Sequence, residues 1–219
     1  MGGKRRDRPR PPGRSKEPCR ARKPLLLIVC EGENTEPEYL EGLARSCRVA
    51  LVEIKIHRKH GVPLSLVQFA KAERDRAAKA ARMEGDPNLR YDSVWCVPDV
   101  DKHPNLPEAK LMAAANGIEI VVSNPCFELW LLLHFQDSPG AKPHRDLLKP
   151  LKKHLPKYDK HVDFADFQAG YPQAVKRARR LVETANREHD PGRNPTTDVY
   201  RLTEAIAGSD AGSALHPSD

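Results

Sequence analysis

The chain has 219 residues and a formal net charge of +7. This length fits one domain with a core of its own, so folding needs neither disulfides nor a structural metal. Residues 1–24 hold ten basic and two acidic residues, whereas the rest of the chain has 27 basic and 28 acidic residues. The basic character therefore belongs to the N-terminal segment, and it does not indicate a basic face on the folded body.

Cysteine usage and apolar runs exclude several classes of protein. The five cysteines show no C-x-x-C spacing, which argues against a zinc ribbon and against a disulfide framework. The longest apolar runs, Leu25–Cys30 and Leu129–Leu133, are far shorter than the roughly 20 residues that span a bilayer. We therefore predict a cytoplasmic protein without membrane contact.

The N-terminal third begins with a segment that should not fold. Residues 1–23 are rich in Arg, Lys, Pro and Gly, which predicts a disordered basic tail, either solubilising or phosphate-binding. Leu25–Cys30 is a continuous apolar run, typical of a strand buried on both faces. Thr35 and Glu38 then fit a capping box that would open a helix ending near Ser46.

Strands and helices continue to alternate up to residue 123. The next strands are predicted at Val49–His57, Asp92–Val97 and Ile118–Val122. Helices are predicted at 63–84 and at 105–116, the latter with Asn105 and Glu108 as a cap pair. This order predicts an α/β core over 24–123, with a mostly parallel four-stranded sheet flanked by helices.

Beyond residue 123 we predict no further strand. Helices are predicted at Pro125–Phe135, 144–154, Pro172–His189 and Thr197–Ala207. Residues 124–207 would thus form a C-terminal helical extension packed on the core, and residues 208–219 a flexible tail.

Acidic residues follow two of the predicted strands. Glu31 comes directly after the first strand, and Asp99 and Asp101 follow the third. Parallel sheets place their sites beyond the carboxyl ends of the strands, so the three carboxylates converge if these strands are neighbours. Such a cluster needs a cation, and Mg²⁺ suits carboxylate oxygens. Acidic residues are also ordinary loop formers, so each one alone is a weak signal.

Other polar residues at the same edge allow two interpretations. Glu36 lies near the predicted acidic site and could assist it in binding nucleic acid, but an acid in a first helical turn also favours the helix dipole. Asn124 can contact phosphate, or it can cap the helix that Pro125 would begin. Glu128 stands in an apolar helix, and a buried carboxylate needs a metal, a proton or an ion-pair partner.

Polar residues further along the chain could contact phosphate. Lys157 could stabilise charge that develops on a phosphate, and Asn194, Thr196 and Thr197 could donate hydrogen bonds to one. Helix capping explains the last three equally well. We expect His134 to be a hydrogen-bonded core residue rather than a metal ligand.

Five segments in order resemble RloB-like proteins. They are LLLIVCEGENTEPEYL at 25–40, VWCVPDVDKH at 94–103, GIEIVVSNPCFELWLLLHF at 117–135, LPKYDK at 155–160 and NPTTDVYRLTE at 194–204. The run from Asn124 to Phe135 is the most specific of them.

The resemblance implies a Toprim-like, that is Rossmann-like, core in which a Glu after the first strand and a D-x-D after a later strand bind Mg²⁺ or Mn²⁺. In this chain those residues are Glu31, Asp99 and Asp101. The resemblance also implies an effector subunit of an anti-phage defence system that acts with an AAA/ABC-type ATPase encoded nearby.

These observations together predict a magnesium-dependent nuclease. Glu31, Asp99 and Asp101 would hold the metal. Glu128 would complete or orient the coordination shell of the metal, or it would act as a base. The nucleic acid could be DNA or tRNA, and an oligomer is compatible with the sequence. The main alternative is a non-catalytic adaptor that binds nucleic acid and an ATPase. A third is a nucleotidyl or glycosyl transferase, since D-x-D motifs serve there too.

Overall fold

The structure is a computed structural model that describes residues 22–48, 50–56, 63–98 and 105–208. A parallel four-stranded sheet forms its centre. The strands are β1 (Leu25–Cys30), β2 (Leu51–Ile56), β3 (Ser93–Val97) and β4 (Glu119–Ile120), and their spatial order is β2-β1-β3-β4. All three pairings are parallel, which confirms the predicted α/β fold and is consistent with a Rossmann-like or Toprim-like core.

Helices cover both faces of the sheet and continue after it. They are α1 (Thr35–Cys47), α2 (Pro63–Glu84), α3 (Leu106–Ala115), α4 (Phe127–Leu132), α5 (His144–His154), α6 (Ala165–Gln168), α7 (Tyr171–Arg187) and α8 (Val199–Ala207). A single 3₁₀ turn at Pro87–Leu89 precedes β3. Within the described part of the chain, no helix combines the length and apolarity needed to cross a membrane.

The continuous apolar run of β1 serves two separate cores. Leu26, Ile28 and Cys30 face one core with α1 and the C-terminal helices, while Leu27 and Val29 face the other core with α2 and α3. Successive strand residues point to opposite faces, so a strand between two helical layers must be apolar at every position.

Tyr39 of α1 connects the sheet layer to the C-terminal helices. It is fully buried, and its ring makes edge contacts with aromatic rings of α4 and of the α6 region. These partners are Phe127, Trp130, His134, Phe164 and Phe167. The C-terminal helices therefore pack on α1 through one aromatic cluster.

Further strand structure follows the predicted strand Ile118–Val122, contrary to the expectation that the strands end before residue 123. Strand β5 (Ser123–Asn124) pairs antiparallel with β6 (Thr196–Thr197). The two segments are two residues long and more than 70 residues apart, too short to show an alternating pattern. The hydroxyl groups of Ser123 and Thr197 are 2.6 Å apart in this ribbon.

Three predicted helix caps are wrong. Helix α1 begins at Thr35, whose hydroxyl donates to the carbonyl of Lys160 at 2.6 Å instead of capping the helix. Glu38 accepts from the backbone N–H of Val162 at 2.8 Å. Asn105 precedes α3 but makes no side-chain cap hydrogen bond. Thr35 and Glu38 thus bond to groups that are distant in sequence instead of to the backbone of the first helical turn.

The cap at α4 also differs from the prediction. The helix begins at Phe127 with Cys126 before it, so Pro125 is outside the helix and Asn124 does not cap it. The Asn124 amide donates instead to the carbonyl of Gly192 at 2.9 Å. Strand β5 holds this segment extended, which moves the helix start by two residues.

Candidate functional site

The carboxyl ends of β1 and β3 lie side by side. Cys30 pairs with Val97, and the backbone N–H of Glu31 donates to the carbonyl of Val97 at 3.2 Å. The condition for convergence, that the first and third strands are neighbours, is therefore met. Asp99 and Asp101 lie outside the described residues, so their meeting with Glu31 stays a prediction.

A second buried carboxylate follows Glu31 in the chain, at the start of α1. Glu36, in the first turn of α1, is 7 % exposed, as is Glu31. Its carboxylate lies against the loop backbone, because a Cβ atom on Gly32 would come within 2.2 Å of the Glu36 Oε2 atom. Only glycine at position 32 leaves room for this carboxylate, which the dipole of α1 stabilises.

Among the described acids of the site, Glu128 is the most deeply enclosed. It is 3 % exposed, and its Oε1 atom accepts hydrogen bonds from the Tyr158 hydroxyl and the Lys160 Nζ atom, each at 3.0 Å. Its Oε2 atom is 3.5 Å from the Nε2 atom of His144. The buried carboxylate therefore has the ion-pair partner that its position in an apolar helix requires.

The surroundings of Glu128 keep it ionised. Burial raises the pKa of this carboxyl, but hydrogen bonds from Cys126 and Lys160 outweigh burial and lower its pKa to about 2. Burial and the charge of Glu128 raise the pKa of the Cys126 thiol well above its usual range. A carboxylate with so low a pKa is a poor general base at neutral pH, so an orienting role suits Glu128 better.

A cavity of about 140 Å³ joins Glu36 to Glu128, and Glu31 is not among its lining residues. Its lining includes Gly32, Glu36, Cys126, Glu128, His144 and Lys160. The loop after β1 thus faces the start of α4 across this cavity, as expected for the carboxyl edge of a parallel sheet. Two of the predicted site residues, Glu36 and Glu128, meet there.

Lys157 lies elsewhere. It is exposed and lines a different cavity of about 550 Å³, together with His154 and Asp166. Lys160 is the cation that reaches Glu128. The structure therefore does not bring Lys157 to the cavity that holds Glu128.

The polar residues of the β5–β6 region have internal partners. The Asn194 side chain exchanges hydrogen bonds with the backbone of Lys142, at 2.7 and 3.3 Å. Thr196 donates to the carbonyl of Arg193 at 2.8 Å, and Thr197 bonds with Ser123. With Asn124 bound to Gly192, these four side chains have partners within the protein. None of these hydrogen bonds caps a helix, so the capping interpretation is wrong, and the predicted phosphate contacts stay a prediction.

His134 is a core residue, as predicted. Its Nδ1 atom is 3.0 Å from the carbonyl of Trp130, and its Nε2 atom is 2.9 Å from the Tyr39 hydroxyl. A carbonyl only accepts, so Nδ1 carries the proton and Nε2 accepts from Tyr39. Burial lowers the pKa of His134 to about 3, so the ring is neutral near pH 7.

Sequence reasoning missed four residues around Glu128: Cys126, His144, Tyr158 and Lys160. Tyr158 and Lys160 lie in the segment LPKYDK, which contributes to the family resemblance and could have pointed to them. His144 had no sequence signal, because it is the first residue of α5 and belongs to no motif.

The chain belongs to the family of RloB-like proteins, because the profile of that family matches residues 26–206. No curated protein and no solved structure matches the chain.

Proposed function

We propose that this protein is a magnesium-dependent nuclease, the effector of an anti-phage defence system that acts with a partner ATPase. One observation carries the proposal: β1 and β3 are parallel neighbours, and Glu31 is hydrogen-bonded to the last residue of β3. Asp99 and Asp101 follow that strand within four residues of Val97. Side chains that leave adjacent strand ends share one edge of the sheet.

The donor chemistry of this edge fits magnesium. Glu31 and Glu36 offer buried carboxylate oxygens, the ligand type that Mg²⁺ prefers, and Gly32 leaves space for the second carboxylate. Glu31, Asp99 and Asp101 would hold the ion, and Mn²⁺ could replace it. The bound metal would activate a water and stabilise the oxygen that leaves the phosphodiester.

Residues that line the cavity would bind and orient the substrate. Lys160 has a half-exposed side chain, so its ammonium can leave Glu128 and contact a phosphate oxygen, the role that sequence analysis gave to Lys157. Glu128 holds Lys160 at the lining of the cavity by a hydrogen bond. The Lys160 side chain would thus meet the substrate already positioned.

The test is cleavage of DNA and of tRNA by the purified chain, with and without its ATPase partner, in the presence of Mg²⁺ or Mn²⁺. Glu31→Gln and Asp99→Asn should reduce cleavage by at least about 100-fold, because each removes a metal-binding carboxylate. Glu41→Gln is the matched control, since Glu41 is an exposed glutamate of α1 outside the cavity.

Two results would refute the nuclease proposal. One is cleavage that Asp99→Asn leaves intact. The other is tight nucleic-acid binding without cleavage under all conditions, including the presence of the ATPase, which would favour an adaptor subunit.

A further inference from the structure

Three side chains of different metal-binding chemistry meet beside the start of α4. The Cys126 Sγ atom, a carboxylate oxygen of Glu128 and a ring nitrogen of His144 all lie within 4.8 Å of one another. Cys126 and Glu128 are buried, and the His144 side chain is 38 % exposed. A thiol, a carboxylate and an imidazole at this separation are the ligand types of zinc sites.

One atom of this cluster lacks a hydrogen bond. The Nε2 atom of His144 is buried and has no hydrogen-bond partner. It is 3.5 Å from the Glu128 Oε2 atom, within ion-pair range but without hydrogen-bond geometry. An unsatisfied buried nitrogen costs free energy, and a metal ion between the two side chains would remove that cost.

The two carboxylate oxygens of Glu128 have different surroundings. One accepts hydrogen bonds, and the other faces the cluster of Cys126, Glu128 and His144. Tyr158 and Lys160 both donate to Oε1, whereas Oε2 faces His144. Hydrogen bonds to the outer oxygen of a carboxylate ligand are the usual way in which proteins orient it. Lys160 can turn its ammonium into solvent when a cation arrives, because its side chain is 53 % exposed.

We propose that Cys126, Glu128 and His144 form a binding site for a transition metal of the zinc class. Bonds of about 2.0–2.3 Å in a tetrahedral site place ligand atoms about 3.5 Å apart, so modest side-chain rotations complete the site. The Cys126 thiol gives its proton to solvent when it binds the metal as thiolate. The three ligands leave a fourth position open towards the cavity.

This site goes beyond the proposed nuclease and differs from its magnesium site in ligand chemistry. Thiolate and imidazole select Zn²⁺ over Mg²⁺, whereas a set made only of carboxylates does the reverse. Glu128 is the residue that the two proposals share. Cys126 and His144 belong to the zinc-class site alone.

The test is a Co²⁺ titration of the full chain after chelator treatment, followed by optical absorption. We expect one tetrahedral Co²⁺ ion per chain, with the visible bands of that geometry and a thiolate-to-cobalt charge-transfer band. Cys126→Ser should abolish the charge-transfer band, and His144→Gln should weaken Co²⁺ binding by about tenfold or more. Cys47→Ser is the matched cysteine control, at the far end of α1, and His154→Gln is the matched histidine control, at the far end of α5.

The absence of the charge-transfer band in the wild-type chain would overturn the proposal, as would its persistence in Cys126→Ser. If Cys126→Ser fails to fold, the affinity of His144→Gln decides the question, because His144 is partly exposed and tolerates replacement. Glu31→Gln separates the two proposals. It should lose cleavage and keep the cobalt bands, so failure of the nuclease proposal leaves this one standing.

Discussion

The buried histidine of the aromatic cluster should make the protein unusually sensitive to mild acid. His134 has a pKa of about 3 in the folded chain, because burial disfavours its charged form, whereas an unfolded histidine has a pKa near 6.5. Between about pH 3 and pH 6.5, this histidine binds a proton in the unfolded chain but not in the folded chain. The free energy of unfolding therefore falls as pH decreases from about 6.5 towards 3.

The magnitude follows from the difference between the two pKa values. A pH of 5 lies about 1.5 units below the pKa of an unfolded histidine. His134 therefore lowers the free energy of unfolding by about 2 kcal/mol at pH 5 relative to pH 8. His134→Gln keeps a donor for the Trp130 carbonyl and an acceptor for the Tyr39 hydroxyl, but does not titrate. Its stability should therefore fall by about 2 kcal/mol less than that of the wild type over this range.

The assay is urea unfolding at pH 8, 7, 6 and 5 for both proteins. Lost ring packing lowers the stability of the variant at every pH, so the comparison uses the pH dependence alone. His161→Gln is a control of opposite sign. In the wild type, the hydrogen bond between His161 and Glu38 raises the pKa of His161. Charged His161 therefore stabilises the folded chain below about pH 6.5, and this stabilisation is lost as pH rises. Replacing His161 should make the free energy of unfolding fall more steeply in acid. If the plots of that free energy against pH were parallel for His134→Gln and wild type, the reasoning about His134 would be refuted.

Three further substitutions test the aromatic core and the candidate site. Gly170→Ala should destabilise the fold by about 1–3 kcal/mol in urea unfolding, because the new Cβ atom would lie 2.3 Å from the backbone oxygen of that same buried histidine. Gly32→Ala should leave the melting temperature nearly unchanged but reduce magnesium-dependent cleavage, because only the flexible Glu36 carboxylate must move. Lys160→Met should raise the pKa of Glu128 and cost on the order of 1 kcal/mol at pH 7, since the ammonium is half exposed. That deficit relative to wild type should shrink as pH falls below the raised pKa of Glu128 in the variant, and it should vanish near pH 2, where the wild-type carboxylate also becomes protonated; a constant deficit would contradict it.

The sequence predicted the sheet well because its signals are local. The apolar run Leu25–Cys30 became β1 with the predicted bounds, and helix α2 spans 63–84 as expected. Strand β4 is shorter than predicted, covering Glu119 and Ile120 only. Alternation of strands and helices was enough to imply parallel pairing, since a crossover helix fixes the direction of the next strand.

The caps and the ribbon could not be predicted because their partners are distant in sequence. Thr35 has a favourable cap position, but its hydroxyl bonds to Lys160, 125 residues away. Strand β5 pairs with a segment beyond α7, and neither strand has a periodic pattern. Local rules fail at these positions because a tertiary contact satisfies the same polar group.

The candidate site shows the same division between local and distant signals. Glu128 could be found from sequence alone, since a carboxylate among apolar residues on a helix demands a partner. The partners of Glu128 could not be found from sequence, because Tyr158 and Lys160 come from a loop and His144 comes from another helix. Once the partners are known, the role of Glu128 changes. With its pKa held near 2, it is a fixed negative charge around which a cation and two donors are arranged, which suits an orienting role better than proton abstraction.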